Sequence, residues 1–347
     1  MAYTTIDDPS DYFNTVLYTG TGSEQTVSGV NFQPDWTWLK SRSNGQPHVV
    51  SDSVRGATKQ LYTADTQAET SYSQYVKSFN SDGFVLGTDS GINQSSQTFV
   101  SWNWKAGTSF TNDASSTGIG SIDSAGSVST DAGFSIVTYT GTGSAATVAH
   151  GLGVAPKMII NRTISASKDW ITYHASLGAT KFLELNTTDA VATSSDKFNN
   201  TEPTSTVFSI ESSSQNNTSG GTCLAYCFAD VKGYSKFGSY TGNGNVDGTF
   251  FYTGFKPAFT IIRSTGSDQW SMFDAKRNPF NEVDNNIRAN SNAAEADQAN
   301  KEVDYLSNGV KLRTSSGEWN SSGTTYIYMA FAENPFVTST GVPATAR

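Results

Sequence analysis

Two Asp–Arg pairs have a spacing that could serve acid catalysis. Asp52 and Arg55 lie three residues apart, and Asp274 and Arg277 repeat this spacing. Hydrolysis by paired acids needs two carboxyl groups across a cleft, whereas a salt bridge needs one acid beside one base. A third, related segment has His174 in place of the acid. Because an active site rarely needs two copies and a degraded third, the sequence favours structural salt bridges.

Other catalytic signatures are missing from the sequence. It contains no G-x-S-x-G elbow, no H-E-x-x-H motif and no phosphate-binding P-loop. Its three histidines do not have the close spacing of a zinc site. Cys223 and Cys227 are four residues apart on a predicted strand, which separates them by about 13 Å, too far for a disulfide. We therefore expect buried free thiols and no enzyme activity.

One loop resembles the start of a calcium-binding loop. Asn243, Asn245 and Asp247 place oxygen atoms at alternate positions, as calcium ligands do. An EF-hand would have a bidentate Glu at the twelfth position, which is Gly254 here. The loop therefore has two interpretations, an ordinary Asn/Gly turn and a weak calcium site, and the turn is favoured. No other cofactor is expected.

Three copies of one module account for nearly the whole chain. The string YTGTGS occupies residues 18–23 and 139–144, and YTGNGN occupies residues 240–245. Each string precedes a proline and a hydrophobic strand, and each module closes on an aromatic strand such as VSWNWKA or LAYCFAD. Tandem duplication explains why several motifs recur in one order. The first repeat is placed at residues 1–108, the second at 109–232 and the third, with a short C-terminal tail, at 233–347.

The repeats are large enough to fold singly, and their junctions differ. Residues 107–130 consist almost wholly of Gly, Ser, Thr, Ala and Asp, which is the composition of a flexible linker. The second junction, at residues 230–234, leads directly into the next strand. We therefore expect a loosely placed first repeat and a fixed relation between the other two.

The local pattern is that of β-strands throughout. Short runs of Val, Ile, Thr, Tyr, Phe and Trp alternate with Gly, Asn, Asp and Ser, as in sandwiches and barrels. Residues 80–83 and 307–309 are typical of hairpin turns, and the YTG glycines suit turns that require positive φ. The best helical candidates are residues 63–78 and 290–304. The predicted fold is all-β, with three tandem antiparallel β-sandwiches of jelly-roll or lectin-like type.

The repeats divide the tryptophans into two groups. Tryptophan is the residue by which sugar-binding proteins often contact a ligand, because the flat indole stacks on a pyranose ring. Tryptophans that align with Met, Ile or Phe in the other repeats are predicted to lie in the core: Trp36, Trp38 and Trp104. The candidates for ligand binding are the rest, with burial in their own module as the alternative: Trp170 and Trp270, which align with His48, and Trp319, which lies in a polar segment.

Composition excludes several classes of function. The chain has 347 residues, with 22 Lys+Arg against 31 Asp+Glu and a net charge of −9. This charge argues against nucleic-acid binding, which depends on a basic surface. No apolar run is long enough to span a membrane, and the N-terminus lacks the pattern of a secretory signal. We therefore expect no nucleic-acid or membrane partner.

Taken together, the motifs resemble those of a known protein module. The stretches are YTGTG (18–22), FQPDW (32–36), DSVRG (52–56), SDGF (81–84), VSWNWK (100–105), GLGVAP (151–156) and GYSKFGSYTG (233–242). Their combination resembles a module found, often in tandem, in structural proteins of tailed phages, especially marine phages. The resemblance covers nearly the whole chain. It implies a lectin-like, concanavalin-type sandwich and a place on the virion surface, and it carries over no catalytic residue. A virion protein would be assembled in a host cytoplasm, where thiols stay reduced, and the lack of a secretory signal fits this expectation.

The expected function is that of a non-enzymatic virion surface protein, either a tail fibre or adhesin, or a capsid decoration or head fibre. Its expected partners are other virion proteins of the capsid or tail, with host-surface glycans as an additional ligand. A homo-oligomer is expected, and a fibre role predicts a trimer. Weak sites on repeated modules would gain avidity on a particle. The alternative is an extracellular carbohydrate-binding or glycan-cleaving protein.

Overall fold

Strands and turns dominate the computed structural model, which describes residues 3–297 and 302–345. Every strand pairing within the sheets is antiparallel, and the prediction of an all-β fold with several antiparallel sheets is confirmed. Helices in this part of the chain are short: a 3-10 turn at Pro9–Asp11, and α1 (Ser90–Asn93), α2 (Ala114–Thr117), α3 (Ser195–Phe198) and α4 (Gly317–Asn320). None of the described helices has the length and hydropathy to cross a membrane.

The first repeat forms one large and one small sheet. Its strands are β1 (Phe13–Thr19), β2 (Gln25–Ser28), β3 (Trp36–Ser41), β4 (Val49–Asp52), β5 (Lys59–Tyr62), β6 (Thr70–Ser71), β7 (Val76–Asn80), β8 (Gly83–Leu86) and β9 (Thr98–Trp104). The six-stranded sheet has the order β1-β9-β3-β4-β5-β6, and the three-stranded sheet has the order β2-β8-β7.

The second repeat follows the same plan, with two more strands in its large sheet and one fewer in its small sheet. Its strands are β10 (Thr108–Asn112), β11 (Ser124–Ser129), β12 (Phe134–Thr140), β13 (Ala146–Ala149), β14 (Met158–Thr163), β15 (Ile171–His174), β16 (Lys181–Glu184), β17 (Ala192–Thr193), β18 (Val207–Ile210) and β19 (Thr222–Phe228). The large sheet has the order β10-β11-β12-β19-β14-β15-β16-β17, and the small sheet pairs β13 with β18.

The third repeat returns to six and three strands. Its strands are β20 (Ser235–Thr241), β21 (Phe250–Tyr252), β22 (Phe255–Ser264), β23 (Ser271–Asp274), β24 (Asn285–Arg288), β25 (Ala296–Asp297), β26 (Val303–Leu306), β27 (Gly309–Leu312) and β28 (Thr325–Pro335). The large sheet has the order β20-β28-β22-β23-β24-β25, and the small sheet has the order β21-β27-β26.

The prediction of a flexible linker at residues 107–130 is wrong. This segment supplies β10, α2 and β11, and β11 pairs with β12 from Ser124 opposite Tyr139 to Ser129 opposite Phe134. A Cβ atom at Gly126 would lie 1.8 Å from the carbonyl oxygen of Ile136. The small residues that suggested a linker are therefore, at this position, what close strand pairing requires.

The predicted turns and helices had different outcomes. Both hairpins are confirmed, because Asn80 pairs with Gly83 and Leu306 pairs with Gly309 across the two predicted turns. The helical prediction for residues 63–78 is wrong, since this segment consists of turns, β6 and part of β7. Residues 290–304 contain β25 and the start of β26, and part of that candidate lies outside the described residues.

Each large sheet is buried on both faces. Along β19, Cys223, Ala225 and Cys227 point into the core between the two sheets of the second repeat, while Leu224 and Tyr226 point to the opposite face. A strand alternates its side chains between the two faces of a sheet. One face therefore completes the sandwich of its own repeat, and the other must be covered by something else.

The second face of each large sheet packs on the other two repeats. Ring centroids of Phe13 and Phe331 are 5.0 Å apart, those of Trp36 and Tyr226 are 4.4 Å apart, and those of Phe228 and Phe331 are 6.2 Å apart. All three pairs of repeats are thus in contact. We call this shared cluster the central core, and its members include Phe13, Trp36, Trp38, Trp102, Trp104, Phe134, Met158, Ile160, Trp170, Tyr226, Phe228, Tyr234, Phe237, Phe259, Ile261, Trp270, Met329 and Phe331.

The repeats are arranged around an approximate threefold axis. Three corresponding backbone hydrogen bonds join each repeat to the next: Glu69 N to Ile164 O at 2.8 Å, Val191 N to Thr265 O at 3.0 Å, and Glu295 N to Arg42 O at 2.9 Å. The third bond closes the ring between the last and the first repeat. The prediction that the first repeat is loosely placed is therefore wrong, because its large sheet is fixed against both of its neighbours.

Candidate functional site

The YTG motifs form a loop that is built in the same way in all three repeats. In each repeat, the side chain of a buried asparagine accepts a hydrogen bond from the backbone N–H of the residue that follows the YTG glycine: Thr21 N to Asn93 Oδ1 at 2.9 Å, Thr142 N to Asn217 Oδ1 at 2.7 Å and Asn243 N to Asn320 Oδ1 at 2.9 Å. The motif tyrosine donates to the carbonyl before that asparagine: Tyr18 to Ile92 at 2.8 Å, Tyr139 to Asn216 at 2.6 Å and Tyr240 to Trp319 at 2.7 Å. These three asparagines recur at corresponding positions, and this was the signal that the sequence analysis missed.

The glycines of these loops serve two different purposes. Gly22 has a φ of 73° and Gly143 a φ of 70°, so the prediction of positive φ is confirmed at these positions. The prediction is wrong at Gly20, Gly141 and Gly242, whose φ is not positive. Glycine is needed at Gly20 for space instead, because a Cβ atom there would lie 2.2 Å from the carbonyl oxygen of Gln94. The repeated motif is thus explained by loop architecture, and it does not indicate a ligand site by itself.

The prediction that Trp319 is an exposed contact is wrong. Its side chain is fully buried, with the ring edge-on to Phe273 at 4.9 Å. The indole Nε1 donates to Ser271 Oγ at 2.8 Å. Trp319 lies in α4, directly before Asn320, so it fills the third repeat's sandwich beneath its YTG loop. The polar residues around it in sequence form the turns that cover it.

Trp170 and Trp270 are also buried, and they lie between repeats. Trp170 Nε1 donates to the carbonyl of Tyr62 at 2.8 Å, and Trp270 Nε1 donates to the carbonyl of Glu184 at 3.0 Å. Each bond joins a repeat to the preceding one. The three tryptophans predicted to bind a ligand therefore present no ring face to solvent. At the corresponding position His48 is buried, and burial holds its pKa well below the usual value.

The Asp–Arg pairs are salt bridges inside the interfaces between repeats. Arg55 Nε lies 2.5 Å from Asp52 Oδ2, and the same oxygen accepts from Tyr226 of the second repeat at 2.8 Å. Both carboxylates of the two motifs are fully buried, and neither faces an open cleft. The interpretation as structural salt bridges therefore accounts for the geometry, and the acid-catalysis alternative has no support from it.

The other two interfaces have different residues at the positions of the Asp52–Tyr226 contact. Between the first and third repeats, Trp102 Nε1 donates to Asp274 Oδ2 at 3.0 Å. Between the second and third, the position equivalent to Trp102 is Met329, which has no hydrogen to donate. There His174 replaces the aspartate, with its Nε2 3.2 Å from the carbonyl oxygen of Tyr328. Burial lowers the pKa of His174 to about 4, so the ring is neutral near pH 7.

The predicted calcium loop is an asparagine turn. Asn243 Oδ1 accepts from the backbone of Asn245 at 3.0 Å and from Asn320 Nδ2 at 2.8 Å, while Asn245 Oδ1 accepts from the backbone of Asp247. The Asp247 carboxylate pairs with Lys311 at 2.6 Å, and this contact lowers its pKa. The oxygens offered to a cation are therefore used by hydrogen-bond donors. Within residues 3–297 and 302–345, no three His, Cys, Asp or Glu side chains gather as metal ligands.

The two cysteines are free and buried, as expected. Cys223 Sγ lies 3.3 Å from Thr163 Oγ1, and burial raises the pKa of both thiols. A thiol with a raised pKa has little thiolate at neutral pH, so it is a poor nucleophile. Neither cysteine is suited to catalysis.

A cleft of about 370 Å³ in the second repeat contains two carboxylates, those of Asp113 and Asp123. Both are occupied in capping α2: Asp113 accepts from the backbone of Ser115 and Ser116, and Asp123 accepts from the backbone of Ala114 at 2.9 Å. The hydrogen bonds from the two serines lower the pKa of Asp113. A general acid needs a raised pKa, so Asp113 is not suited to that role.

The large aromatic side chains that the structure does expose are not the predicted tryptophans. Phe250 and Tyr252 of β21 are 42% and 52% exposed, Tyr72 is 42% exposed, and Phe280 is 76% exposed. Phe250 and Tyr252 point to the same side of a strand at the edge of the small sheet. Sequence analysis missed them because it sought tryptophan, and because FFY in β21 has the appearance of a core strand.

Comparison with known proteins supplies a family but no activity. A family model described as a domain of unknown function (DUF7483) matches residues 8–335. The match spans all three repeats, and the chain belongs to this family. No curated protein and no solved structure matches the chain.

Proposed function

We propose that the chain is a non-enzymatic structural protein on the surface of a tailed-phage virion, serving either as a tail fibre or adhesin, or as a capsid decoration or head fibre. The observation that supports this role best is the shared central core. It links three sandwiches into one rigid body around an approximate threefold axis. A body of this kind suits a threefold position, which both a trimeric fibre and a capsid lattice offer.

The chemistry of the buried polar groups supports a structural role over an enzymatic one. The two Asp–Arg pairs and His174 hold repeats together. The polar groups with shifted pKa values that we describe are accounted for by burial or by caps and loops. Perturbed groups in an enzyme would instead converge on an open cleft. The partners in this proposal are other virion proteins, and a single chain already provides three modules for contacting them.

Antibody labelling of intact particles tests this proposal. Antibodies raised against the full chain are applied to particles of the phage whose genome encodes it, and the particles are viewed by electron microscopy. Label on the head supports decoration, and label on the tail supports a fibre or adhesin. Particles that carry no label, together with their lack of the chain by mass spectrometry, would overturn the proposal. An antibody against an unrelated surface protein of the same particles serves as the control for antibody access.

An extracellular carbohydrate-binding protein is the second candidate. The exposed aromatic pair on β21 is the observation that favours it. This candidate predicts polysaccharide binding by a protein that is not part of any particle. Glycan cleavage, the other form of this alternative, gains no support from the carboxylates of the cleft beside α2.

A further inference from the structure

Four aromatic side chains lie near one another on the outside of the third repeat, and two of them, Tyr3 and Phe336, are half-buried. Phe250 and Tyr252 are both exposed, and the Tyr252 hydroxyl lies 3.2 Å from that of Tyr3. The Tyr3 ring in turn packs edge-on against Phe336, with centroids 6.1 Å apart. We call these four residues the aromatic strip. It joins an edge strand of the small sheet to segments near both ends of the chain.

The other repeats provide an internal comparison for this surface. The strands β2 and β13 correspond to β21, and their registers with β8 and β18 identify equivalent positions. At the position of Phe250 the other repeats have Thr26 and Thr147. At the position of Tyr252 they have Ser28 and Ala149. The fold therefore does not require aromatic rings there. An exposed apolar patch that the fold does not need indicates a contact surface.

The strip is spaced like a platform for ring-shaped ligands. Phe250 and Tyr252 are two residues apart on one strand, so their side chains project from the same face about 7 Å apart. Gly309 lies beside them, and a Cβ atom there would come within 2.7 Å of the Phe250 ring. The Phe250 ring thus lies across Gly309, which has no side chain, and the outer face of the ring is left exposed. Flat faces of this kind pack on the apolar faces of pyranose rings.

The charges around the strip indicate a neutral ligand. Lys311, opposite Phe250 in the register, is paired with Asp247 at 2.6 Å. Arg313 is paired with Asp304, also at 2.6 Å. Lys232 lies over the Tyr3 ring, 4.4 Å from its centroid. The two ion pairs cancel their own charge, and the strip offers no cluster of cations for an acidic polymer.

We propose that the aromatic strip binds a neutral polysaccharide, whose successive pyranose rings stack on Phe250 and Tyr252 and continue toward Tyr3. This site deepens the proposed function, since it would be the contact of the virion protein with a glycan of the host surface. It replaces the tryptophans that the sequence suggested. Binding at one strip is weak, and many copies on a particle increase its strength.

The test uses the full chain in native gels that contain a polysaccharide. The neutral probes are dextran, mannan and hydroxyethyl cellulose, and alginate is the acidic probe. The variant Phe250→Thr with Tyr252→Ser installs the residues of the first repeat, so the fold has a precedent for it. Tyr72→Ser is the matched control, because Tyr72 is 42% exposed in the first repeat, where its ring contacts Tyr75. Circular dichroism and urea unfolding confirm that both variants are folded.

The expected result is retardation by at least one neutral probe. The double variant should weaken binding by about tenfold, or about 1.4 kcal/mol, and the control should not. Lack of retardation by all neutral probes, retardation by alginate alone, or equal binding by the double variant would overturn the inference. So would a dimer that the double variant dissociates, because the strip would then contact a second copy of the chain. Labelled particles without polysaccharide binding would leave the virion role intact, whereas strip-dependent binding without labelled particles would contradict that role alone.

Discussion

Replacing Tyr226 by Phe tests whether the interface between the first and second repeats contributes to stability. The Tyr226 hydroxyl donates to Asp52 Oδ2 at 2.8 Å, across the interface. The side chain is buried in the central core, and its ring stacks on Trp36 at 4.4 Å. Phenylalanine keeps the ring and removes the hydroxyl, so the change removes the hydrogen bond to Asp52 together with a longer one, of 3.4 Å, that the hydroxyl accepts from Arg55 Nη2.

The size of the expected loss in stability depends on the hydrogen bonds that Asp52 keeps in the variant. Its carboxylate still accepts from Arg55 Nε at 2.5 Å and from the Arg55 backbone at 2.8 Å, so it stays paired. A hydrogen bond to a charged group contributes about 1.5 to 3 kcal/mol, and more is lost when the acceptor is left without any partner. We therefore expect Tyr226→Phe to lower the free energy of unfolding by about 2 kcal/mol.

Tyr234→Phe is the matched control. Tyr234 is equally buried in the central core, and its ring lies 5.6 Å from that of Phe331. Its hydroxyl has no hydrogen-bond partner among the described residues. Removing a buried hydroxyl without a partner removes a desolvation cost, so this variant should be neutral or more stable by about 1 kcal/mol.

Equilibrium urea unfolding of the two variants and the parent chain, followed by tryptophan fluorescence and by circular dichroism, measures the difference. Because the central core joins all three repeats, the two signals should show a single transition in the parent chain. Equal stability of the two variants would refute the hydrogen bond to Asp52. A transition in which only one repeat responds to Tyr226→Phe would refute the shared core.

Three further outcomes follow from the geometry. A Cβ atom at Gly242 would lie 2.3 Å from the carbonyl oxygen of Ser321, so Gly242→Ala should lower the free energy of unfolding in urea by about 1 to 3 kcal/mol. A Cβ atom at Gly317 would meet no neighbour within 4 Å, so Gly317→Ala should leave the free energy of unfolding almost unchanged. Burial lowers the pKa of Lys40 from 10.5 to about 8. Between these pH values the unfolded chain keeps the Lys40 proton and the folded chain loses it, so the free energy of unfolding should rise as pH rises from 8 to 10.5. A Lys40→Met variant should lose this part of the pH dependence. Cys223 and Cys227 are buried, so a thiol reagent should label them in urea and not in the native protein, and rapid native labelling would contradict the packing.

Much of the fold was accessible from the sequence because the repeats supplied internal comparisons. Positions that exchange Trp for Met, Ile or Phe proved to be buried, as Trp36 and Trp104 show. The hairpin at residues 80–83 followed from turn chemistry that acts within a few residues. Such local and repeated signals do not depend on how distant parts of the chain meet.

The arrangement of the repeats was not accessible in this way. A strand such as β3 is buried along its whole length, and sequence alone does not say whether the second buried face meets another sheet of the same repeat or another repeat. The same limit explains the errors at Trp170 and Trp270, which were judged against their own repeat. Each one donates to a carbonyl of the preceding repeat, and this contact depends on closing the ring.

The central core implies that a single repeat does not fold as a stable monomer, although its length alone would allow it. In the second repeat, Met158, Tyr226 and Phe228 all lie on the face that the other repeats cover. A fragment of residues 109–232 would expose this face to water, at a cost of about 25 cal/mol for each Å² of apolar area. We expect the fragment to aggregate or bind a hydrophobic dye strongly, as measured by size-exclusion chromatography and dye fluorescence. A monomeric fragment with the stability of the full chain would show that the central core joins repeats that are already complete.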